Sequence, residues 1–346
     1  MNVAEFDFAL PPHLIAQSPL STREDARMLV LDRDGGIKAH STVAALPEWL
    51  QSGDLLTIND TRVVPARLLG RRVPSGGAVE CLLLNRLDAD RWDALVHPGQ
   101  KLRIGERMRF ERHGRFIDAD ILECHFFGRR VVRLIADRHG DVDEVIDVVG
   151  HVPLPPYIKR SDESVDHERY QTVYARARGS VAAPTAGLHL TDGLLRTLVT
   201  GGVERVDVTL HVGYGTFKPV RTQLVEEHTV DPERYVISAQ AAAALNAALV
   251  AGRRIVAVGT TTTRTLESAS RHGRIESGEA VSNLFIHPGH HFSAVGGLLT
   301  NFHLPRSSLL MLVCAFAGRE RVLAAYAEAV RLDYRFYSYG DTMLIL

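Results

Sequence analysis

The feature that most limits how this chain can fold is a change of sequence pattern between about Val63 and Val149. Short β-like runs, such as Val79 to Leu84 and Trp92 to Val96, alternate there with turns that contain Gly or Pro, and helical periodicity is nearly absent. This pattern is typical of a small antiparallel barrel or sandwich. The chain has 346 residues, more than one hydrophobic core usually supports, so two domains are expected.

Outside that region the pattern is that of an α/β protein. The stretch from Ser180 to Val220 contains a helical run from Asp192 to Leu198 and an alternating strand-like run from Val206 to Val212, with a loop on either side. The prolines of His151 to Ile158 keep that segment extended, because residues before proline avoid the helix. We expect this segment to return the chain to its first domain.

Both loops of the Ser180 to Val220 stretch carry a histidine among small residues. These are His189 and His211, and Gly187, Gly213 and Gly215 allow the backbone to approach a ligand closely. The order loop, helix, strand, loop can bring both loops to one edge of a sheet, where ligands usually bind. Histidine titrates near neutral pH, so both are candidate proton-transfer groups. The alternative is that these are tight turns and packed core histidines.

Two other strand-like runs end in polar residues. Leu55 to Ile58 leads into Asn59-Asp-Thr-Arg62, and Ile255 to Val258 leads into Gly259-Thr-Thr-Thr-Thr-Arg264. Glycine and hydroxyl groups where a strand turns into a helix favour an anion site, for a carboxylate or a phosphate. The same residues also make ordinary turns, so both interpretations remain open.

Tyrosines and arginines suggest contact with nucleic acid. Tyr170 and Tyr174, followed by Arg176 and Arg178, have the chemistry to stack a base and hold a phosphate. Arginines are also concentrated in and beside the β-rich region, at Arg62, Arg67, Arg71, Arg72, Arg103, Arg107, Arg109, Arg129 and Arg130. One face there is expected to be basic enough to meet phosphate, unless the interleaved acids produce a mixed surface. The net charge of −1 argues against a protein that coats nucleic acid.

Metal, membrane and secretion signals are weak. His287, His290 and His291 are close together but match no zinc motif. The cysteines, Cys81 and Cys314 in apolar runs and Cys124, are interpreted as buried reduced thiols. No apolar run is long enough for a membrane span, and the N-terminus lacks the apolar core of a signal peptide. A cytoplasmic protein without a metal is expected.

Nine segments, distributed nearly end to end, together resemble the S-adenosylmethionine:tRNA ribosyltransferase-isomerase family of queuosine biosynthesis. They are L-I-A-Q-S-P-L from Leu14, I-N-D-T-R-V-V-P-A-R-L from Ile58, V-P-L-P-P-Y-I from Val152, R-Y-Q-T-V-Y from Arg169, G-S-V-A-A-P-T-A-G-L-H from Gly179, L-H-V-G-Y-G-T-F-K-P-V from Leu210, G-T-T-T-T-R-T-L-E-S from Gly259, T-N-F-H-L-P from Thr300 and Y-R-F-Y-S-Y-G-D from Tyr334. So many long matches in one order are specific, whereas a single Gly-rich turn is not.

The resemblance implies a fold and an activity. The fold is a large α/β domain, residues 1–62 and 151–346, interrupted by a smaller antiparallel β-barrel domain, residues 63–150. The activity is transfer and isomerisation of the ribosyl moiety of S-adenosylmethionine onto 7-aminomethyl-7-deazaguanine at the tRNA wobble position, which gives epoxyqueuosine-tRNA, adenine and methionine. The tRNAs are those with a GUN anticodon, of the Asp, Asn, His and Tyr type. The resemblance implies a monomer, with no metal and no cofactor besides S-adenosylmethionine as co-substrate.

The reaction also suggests roles for single residues. A neutral histidine suits its proton-transfer steps, so the candidate bases are His189, His211 and His228, with His303 next. The Thr260 to Arg264 turn is a candidate for the methionine carboxylate. Tyr170, Tyr174 and Tyr337 are candidates for stacking the wobble base. The substrate-binding candidates are Asn59, Arg62, Tyr170, Tyr174, Pro184, Thr185, Gly187, Gly213, Gly215, Thr216, Glu233, Thr261, Arg264, Asn301, His303, Arg335, Tyr337 and Asp341.

The sequence departs from the family pattern at two places. The family usually has H-x-M-H-x-E where this chain has His228-Thr-Val230-Asp231-Pro-Glu233, so its second histidine is Asp231 here. Ser21-Thr22-Arg23 stands where paired arginines are common. Two other functions stay open: a noncatalytic tRNA-binding protein on the same fold, and a metal hydrolase that uses the three clustered histidines.

Overall fold

The structure is a computed structural model that describes residues 1–138 and 140–346. Its strands are β1 (Arg27–Asp32), β2 (Gly36–Thr42), β3 (Leu55–Asn59), β4 (Thr61–Val63), β5 (Arg67–Val73), β6 (Ala78–Arg86), β7 (Arg91–His97), β8 (Arg107–Arg112), β9 (Arg115–Cys124), β10 (Arg129–Ala136), β11 (Ala177–Ser180), β12 (Glu204–Leu210), β13 (Glu233–Ile237), β14 (Ile255–Val258), β15 (Ser270–Arg271), β16 (Arg274–Ile275), β17 (Gly278–Ser282), β18 (Gly297–Asn301) and β19 (Thr342–Ile345). Its α-helices are α1 (Val142–Val149), α2 (Asp166–Arg169), α3 (Asp192–Thr200), α4 (Ala239–Val250), α5 (Thr260–Ala269), α6 (Ser308–Ala317) and α7 (Arg319–Arg331).

A nine-stranded mixed sheet, in the order β17-β13-β12-β3-β14-β18-β19-β1-β2, forms the larger part of the molecule. Its four central strands, β12, β3, β14 and β18, are parallel neighbours, so their carboxyl ends meet at one edge. Strand β19 runs antiparallel to β18 and starts at that edge, with Thr342 opposite Asn301. Strands β3, β14 and β18 are fully buried, which explains why β3 and β14 read as continuous apolar runs with little alternation.

The six strands from β5 to β10 close into a barrel in the order β10-β7-β6-β5-β8-β9, and every pairing is antiparallel. Alternate residues point inward and build a separate core, in which Trp92, Met108 and Phe110 pack beneath Val145 and Ile146 of α1. The predicted fold class, an α/β sheet with a smaller antiparallel barrel, is confirmed. The residue bounds of the two domains stay a prediction.

The arginines of the barrel mostly carry acidic partners. Arg107 pairs with Asp120 at 2.6 Å, and Arg109 pairs with Asp118 at 2.7 Å, each through two nitrogens. Similar pairs join Arg67 to Glu80, Arg72 to Glu106 and Arg129 to Asp93. Of the two surfaces that the sequence allows, a mixed one therefore describes these strands better than a uniformly basic one.

One cysteine differs from its prediction. Cys81 and Cys314 are buried, and burial raises the pKa of each thiol to about 12. Cys124 is exposed, because it ends β9 at the rim of the barrel. No helix in the described part of the chain is long and apolar enough to span a membrane.

Candidate active site

Two adjoining cavities lie at the edge where the parallel strands end. The larger has about 540 Å³ of empty space, and the smaller has about 390 Å³. Thr216 and Leu309 line both. The predicted residues that line the larger cavity are Pro184, Thr185, Thr216, Thr261, Asn301, His303 and Tyr337. Those that line the smaller cavity are Gly215, Thr216, Glu233 and Arg264.

Helix α5 explains why four threonines follow β14. Its side chains are almost all buried, so their hydroxyl groups need partners. Thr262, Thr263 and Thr265 each donate to the backbone carbonyl four residues earlier, at 2.7 to 3.2 Å. Thr260 and Thr261, in the first turn, line the larger cavity instead. The threonine run therefore serves helix packing at its far end and the cavity at its near end.

Asn301, the last residue of β18, lines the larger cavity and carries an unpaired acceptor. Its side-chain nitrogen is within hydrogen-bond distance of the carbonyls of Tyr337 and Asp341, at 3.2 and 3.4 Å. Carbonyls only accept, so they fix which end of the amide is nitrogen. Its oxygen Oδ1 is buried without a hydrogen-bond partner among the described residues. This acceptor suits an amine or hydroxyl of a ligand.

His189 supports Asn301 from behind. Its Nε2 lies 3.0 Å from the Asn301 side-chain nitrogen, and its ring is buried. Burial lowers the pKa of His189 to about 4, so the ring is neutral at pH 7. His189 lines a third cavity of about 250 Å³, together with Arg23 and Tyr339, rather than either of the adjoining two.

The other candidate bases occupy different positions. His303 lines the larger cavity, with Nε2 2.9 Å from Thr300 Oγ1, and burial lowers the pKa of His303 to about 3. The His211 Nδ1 is 2.9 Å from Thr61 Oγ1, and the ring packs over Gly179, where a Cβ would lie 2.9 Å from it. His228 packs edge-on against Phe285, one of the residues that line the smaller cavity. Burial is the main cause that lowers the pKa of both His211 and His228.

The smaller cavity is organised by a buried ion pair. Arg264 Nη1 donates to Glu233 Oε2 at 2.6 Å, and Glu233 Oε1 accepts from the Gly213 N–H at 2.9 Å. Burial raises the pKa of Glu233, against the opposing effect of Arg264. Arg264 is only 7% exposed, and its Nη2 has no hydrogen-bond partner in the described part of the chain. A guanidinium nitrogen without a partner is suited to donate a hydrogen bond to an anionic group of a ligand.

Helix α6 adds a second positive element to the smaller cavity. Ser308 and Leu309, its first two residues, line that cavity. Their N–H groups lie in the first turn, where the helix dipole favours anions. Asp231, which replaces the family's second histidine, lines the same cavity and pairs with Lys218 at 2.6 Å. The smaller cavity thus offers donors for an anion and a carboxylate for a cation.

Tyr337 and the two other candidate stacking tyrosines differ in accessibility. Tyr337 lines the larger cavity in a left-handed conformation (φ 74°), and its ring centroid lies 3.8 Å from that of Tyr157. Tyr170 is fully buried and packs edge-on against Tyr339. Tyr174 is also buried, with its hydroxyl over Gly187. Neither buried ring presents a free face to a base, so the geometry favours Tyr337.

Four other candidate residues make hydrogen bonds or close contacts within the protein. Asn59 is buried and exchanges hydrogen bonds with Leu210, joining β3 to β12. Asp341 is buried and accepts from the backbone N–H groups of Arg27 and Arg335. Arg335 in turn donates to the Ser18 carbonyl. Gly187 has no room for a side chain, since a Cβ would lie 2.0 Å from the Tyr174 hydroxyl.

Arg62 and the histidine cluster lie outside both cavities. Arg62 is exposed on β4. His290 Nε2 is 3.5 Å from the Glu267 carboxylate. Among the described residues, no group of three or more His, Cys, Asp or Glu is placed to hold a metal ion.

Sequence reasoning missed several residues that line the cavities. Tyr157 and Ser338 line the larger cavity, and their hydroxyl groups are hydrogen-bonded to each other. Tyr157 is the penultimate residue of the His151 to Ile158 segment, whose prolines indicate only an extended linker. Leu309 gave no signal, because an apolar residue on an apolar helix is indistinguishable from core.

These observations define a class of protein. Cavities at the carboxyl edge of parallel strands, with a few unpaired polar atoms, are typical of α/β proteins that bind small ligands. Comparison with known proteins identifies the family: residues 3–345 match the family described as queuosine biosynthesis protein, and the chain belongs to it.

Individual relatives agree over the full length. The chain is 48% identical to the S-adenosylmethionine:tRNA ribosyltransferase-isomerase of Moorella thermoacetica over 347 residues, covering 100% of both chains. It is 51% identical to the protein of the same name from Anaeromyxobacter dehalogenans over 350 residues, covering 100% of this chain and 99% of the other. The crystal structure of S-adenosylmethionine tRNA ribosyltransferase from Thermotoga maritima is similar, with TM-score 0.55 and 37% identity, covering 99% of this chain and 100% of the other.

Proposed function

We propose that this protein is an S-adenosylmethionine:tRNA ribosyltransferase-isomerase. It moves the ribosyl moiety of S-adenosylmethionine onto 7-aminomethyl-7-deazaguanine at the tRNA wobble position, and releases adenine and methionine. The observation that carries this proposal is membership of the queuosine biosynthesis family over residues 3–345. The cavities, which suit a small zwitterionic ligand, support it.

We assign the two ends of S-adenosylmethionine to different cavities. The methionine carboxylate fits the smaller cavity, where Arg264 Nη2 lacks a partner and the first turn of α6 lies. The methionine ammonium fits Asp231 in the same cavity. The adenosyl group fits the larger cavity, where Asn301 Oδ1 accepts a hydrogen bond and Tyr337 offers a ring.

For the proton-transfer steps we propose a neutral histidine. His189, His211 and His228 are the candidates from the sequence, and the geometry favours His303, because it lines the larger cavity. His189 then acts as a positioning residue through its contact with Asn301. A histidine with a low pKa is unprotonated at neutral pH, as a base must be, although it is a weak one.

Adenine release tests the function. The purified protein is mixed with S-adenosylmethionine and either tRNA that carries the deazaguanine base or the same tRNA unmodified. Adenine formed only with the modified tRNA is the expected result, and it also means that Asp231 is tolerated in place of the family's histidine. Binding of both tRNAs without adenine release would instead indicate the noncatalytic tRNA-binding protein.

Ligand analogues test the carboxylate assignment without changing the protein. The wild-type protein is expected to bind decarboxylated S-adenosylmethionine about 10- to 100-fold more weakly than S-adenosylmethionine, as loss of a charged hydrogen bond implies. Arg264→Lys keeps a positive charge beside Glu233 but removes the second guanidinium nitrogen. In this variant the two ligands are expected to bind with similar affinity. An unchanged ratio between them would overturn the assignment.

The remaining parts of the proposal concern the tRNA substrates, the oligomeric state and the cellular location. We propose tRNAs with a GUN anticodon as substrates, a monomer, and a cytoplasmic location. Competition among tRNAs that differ only in the wobble nucleotide tests the first, and gel filtration tests the second. The proposal includes no metal and no cofactor besides S-adenosylmethionine, and metal analysis of the purified protein tests that point.

A further inference from the structure

Two aromatic rings stand in solvent at the rim of the barrel. Phe126 is 87% exposed and Phe127 is 98% exposed, in the turn between β9 and β10. Apolar groups in this state lose the stabilisation that burial would give. Phe127 also adopts a left-handed conformation (φ 56°), which is unfavourable for a bulky residue. The turn therefore exposes two apolar rings in a conformation that is unfavourable for one of them.

The base of this turn is rigidly built. Arg130 is buried and donates to the carbonyls of Gly99, Leu102 and His125, so it ties the turn to the neighbouring loop. Gly128 fits closely there, since a Cβ on it would lie 2.8 Å from the Val96 carbonyl oxygen. The rings are thus presented from a fixed support, and a rigid presentation lowers the entropic cost of binding.

Unpaired positive charge lies on the loop that neighbours the aromatic turn. Lys101 and Arg103, on the loop that Arg130 ties to the aromatic turn, are exposed and form no ion pair among the described residues. Aromatic rings next to free cations are the combination that binds single-stranded nucleic acid, because the rings stack on bases and the cations hold phosphates.

A weak charge interaction links the residue after the turn to a residue of the smaller cavity. The pKa of Arg129 is raised, mainly by its hydrogen bonds to Asp93 and more weakly by the charge of Asp231. Asp231 lines the smaller cavity, and Arg129 follows the aromatic turn directly.

We propose that Phe126 and Phe127 stack on unpaired bases of the anticodon loop of the substrate tRNA, while Lys101 and Arg103 contact its phosphates. This inference rests on the proposed function, because it takes tRNA as the substrate. It adds a binding surface on the barrel that lies outside both cavities.

The experiment compares two RNAs and four proteins. The RNAs are an anticodon stem–loop hairpin and a fully paired duplex of the same length and composition. The proteins are the wild type, Phe126→Ala, Phe127→Ala and Phe127→Trp. Val250→Ala is the control, because Val250 is a 91% exposed apolar residue at the end of α4. Both phenylalanines are exposed, so their replacement is expected to leave the fold intact, which thermal unfolding checks.

Each alanine variant is expected to bind the hairpin about 5- to 150-fold more weakly, the range that base–aromatic stacking implies. Binding to the duplex is expected to be unchanged, and Phe127→Trp is expected to bind the hairpin at least as well as the wild type. Equal losses for both RNAs, or no loss for either, would overturn the proposal. So would a wild-type dimer that Phe127→Ala converts to a monomer without any change in RNA binding.

Adenine release by the wild type distinguishes a failure of the stacking surface from a failure of the proposed function. If the wild type releases adenine from S-adenosylmethionine with the modified tRNA while the alanine variants bind the hairpin normally, the stacking surface is wrong and the proposed function stands. If the wild type neither binds the hairpin nor releases adenine, the proposed function itself fails.

Discussion

At the scale of single residues, the buried pair of Glu233 and Arg264 is expected to contribute strongly to stability. Glu233→Gln leaves Arg264 charged and buried without its counter-ion, which typically costs about 3 to 5 kcal/mol. Glu279→Gln is a matched control, because Glu279 of β17 pairs in solvent with Arg234, which follows Glu233 on β13. That loss is expected to stay below about 1 kcal/mol. Urea unfolding of both variants measures the difference, and equal losses would contradict the prediction.

Histidine burial makes stability depend on pH. The pKa of His303 is about 3 in the folded protein, against about 6.5 when exposed. Between these two pKa values the imidazole is protonated in the unfolded chain but neutral in the folded one. The free energy of unfolding therefore falls as pH drops below about 6.5. His303→Gln is expected to remove about 1.4 kcal/mol per pH unit from this slope between pH 6 and pH 4.5. Exposed His13, replaced by Gln, serves as the control, and an unaltered slope in His303→Gln would refute the idea.

Single residues also show how far the sequence predicts the site. Arg264 was predicted because it ends the polar turn after a strand-like run, and Asn301 because its segment resembles the family. Tyr170 and Tyr174 carry similar chemistry, but their accessibility depends on packing between distant segments, such as Tyr170 against Tyr339. Local sequence holds no information about such contacts, so accessibility could not be predicted.

At the scale of elements, barrel closure depends on one close approach of strands. A Cβ at Gly70 of β5 would lie 2.1 Å from the Arg109 carbonyl oxygen on β8. We expect Gly70→Ala to destabilise the protein by about 2 kcal/mol or more, since neither backbone yields easily. In Gly77→Ala, at the next turn, the new methyl meets nothing closer than 3.8 Å, and the change is expected to stay within about 0.5 kcal/mol. Thermal unfolding compares the two, and similar midpoints would argue against this account.

Elements were otherwise more predictable than their arrangement. Short β-like runs between turns identified the barrel region, and the helical run from Asp192 to Leu198 corresponds to α3, whose N-cap Thr191 accepts from the Leu194 N–H. The choice between barrel and sandwich depends on whether β10 pairs with both β7 and β9, which it does. That pairing is a long-range contact, and the pattern of one strand does not encode its neighbours.

At the scale of the whole molecule, tRNA binding must come from local charge, because 40 basic and 41 acidic side chains nearly cancel. The barrel arginines that pair with acids add little to the surface potential, as the pairs of Arg107 and Arg109 illustrate. Arginines without acidic partners are therefore better candidates for phosphate contacts. Arg62 is one, exposed on β4 and without an ion pair among the described residues.

The salt dependence of tRNA binding tests this distribution. Each lost phosphate contact lowers the slope of log affinity against log salt concentration by about 1. Arg62→Ala is expected to bind tRNA more weakly at low salt and to show this smaller slope. Arg331→Ala removes the same charge from α7, where Arg331 pairs with Glu328, and is expected to leave the slope unchanged. If both variants changed the slope equally, net charge rather than the position of Arg62 would govern binding, and the tRNA would not contact β4.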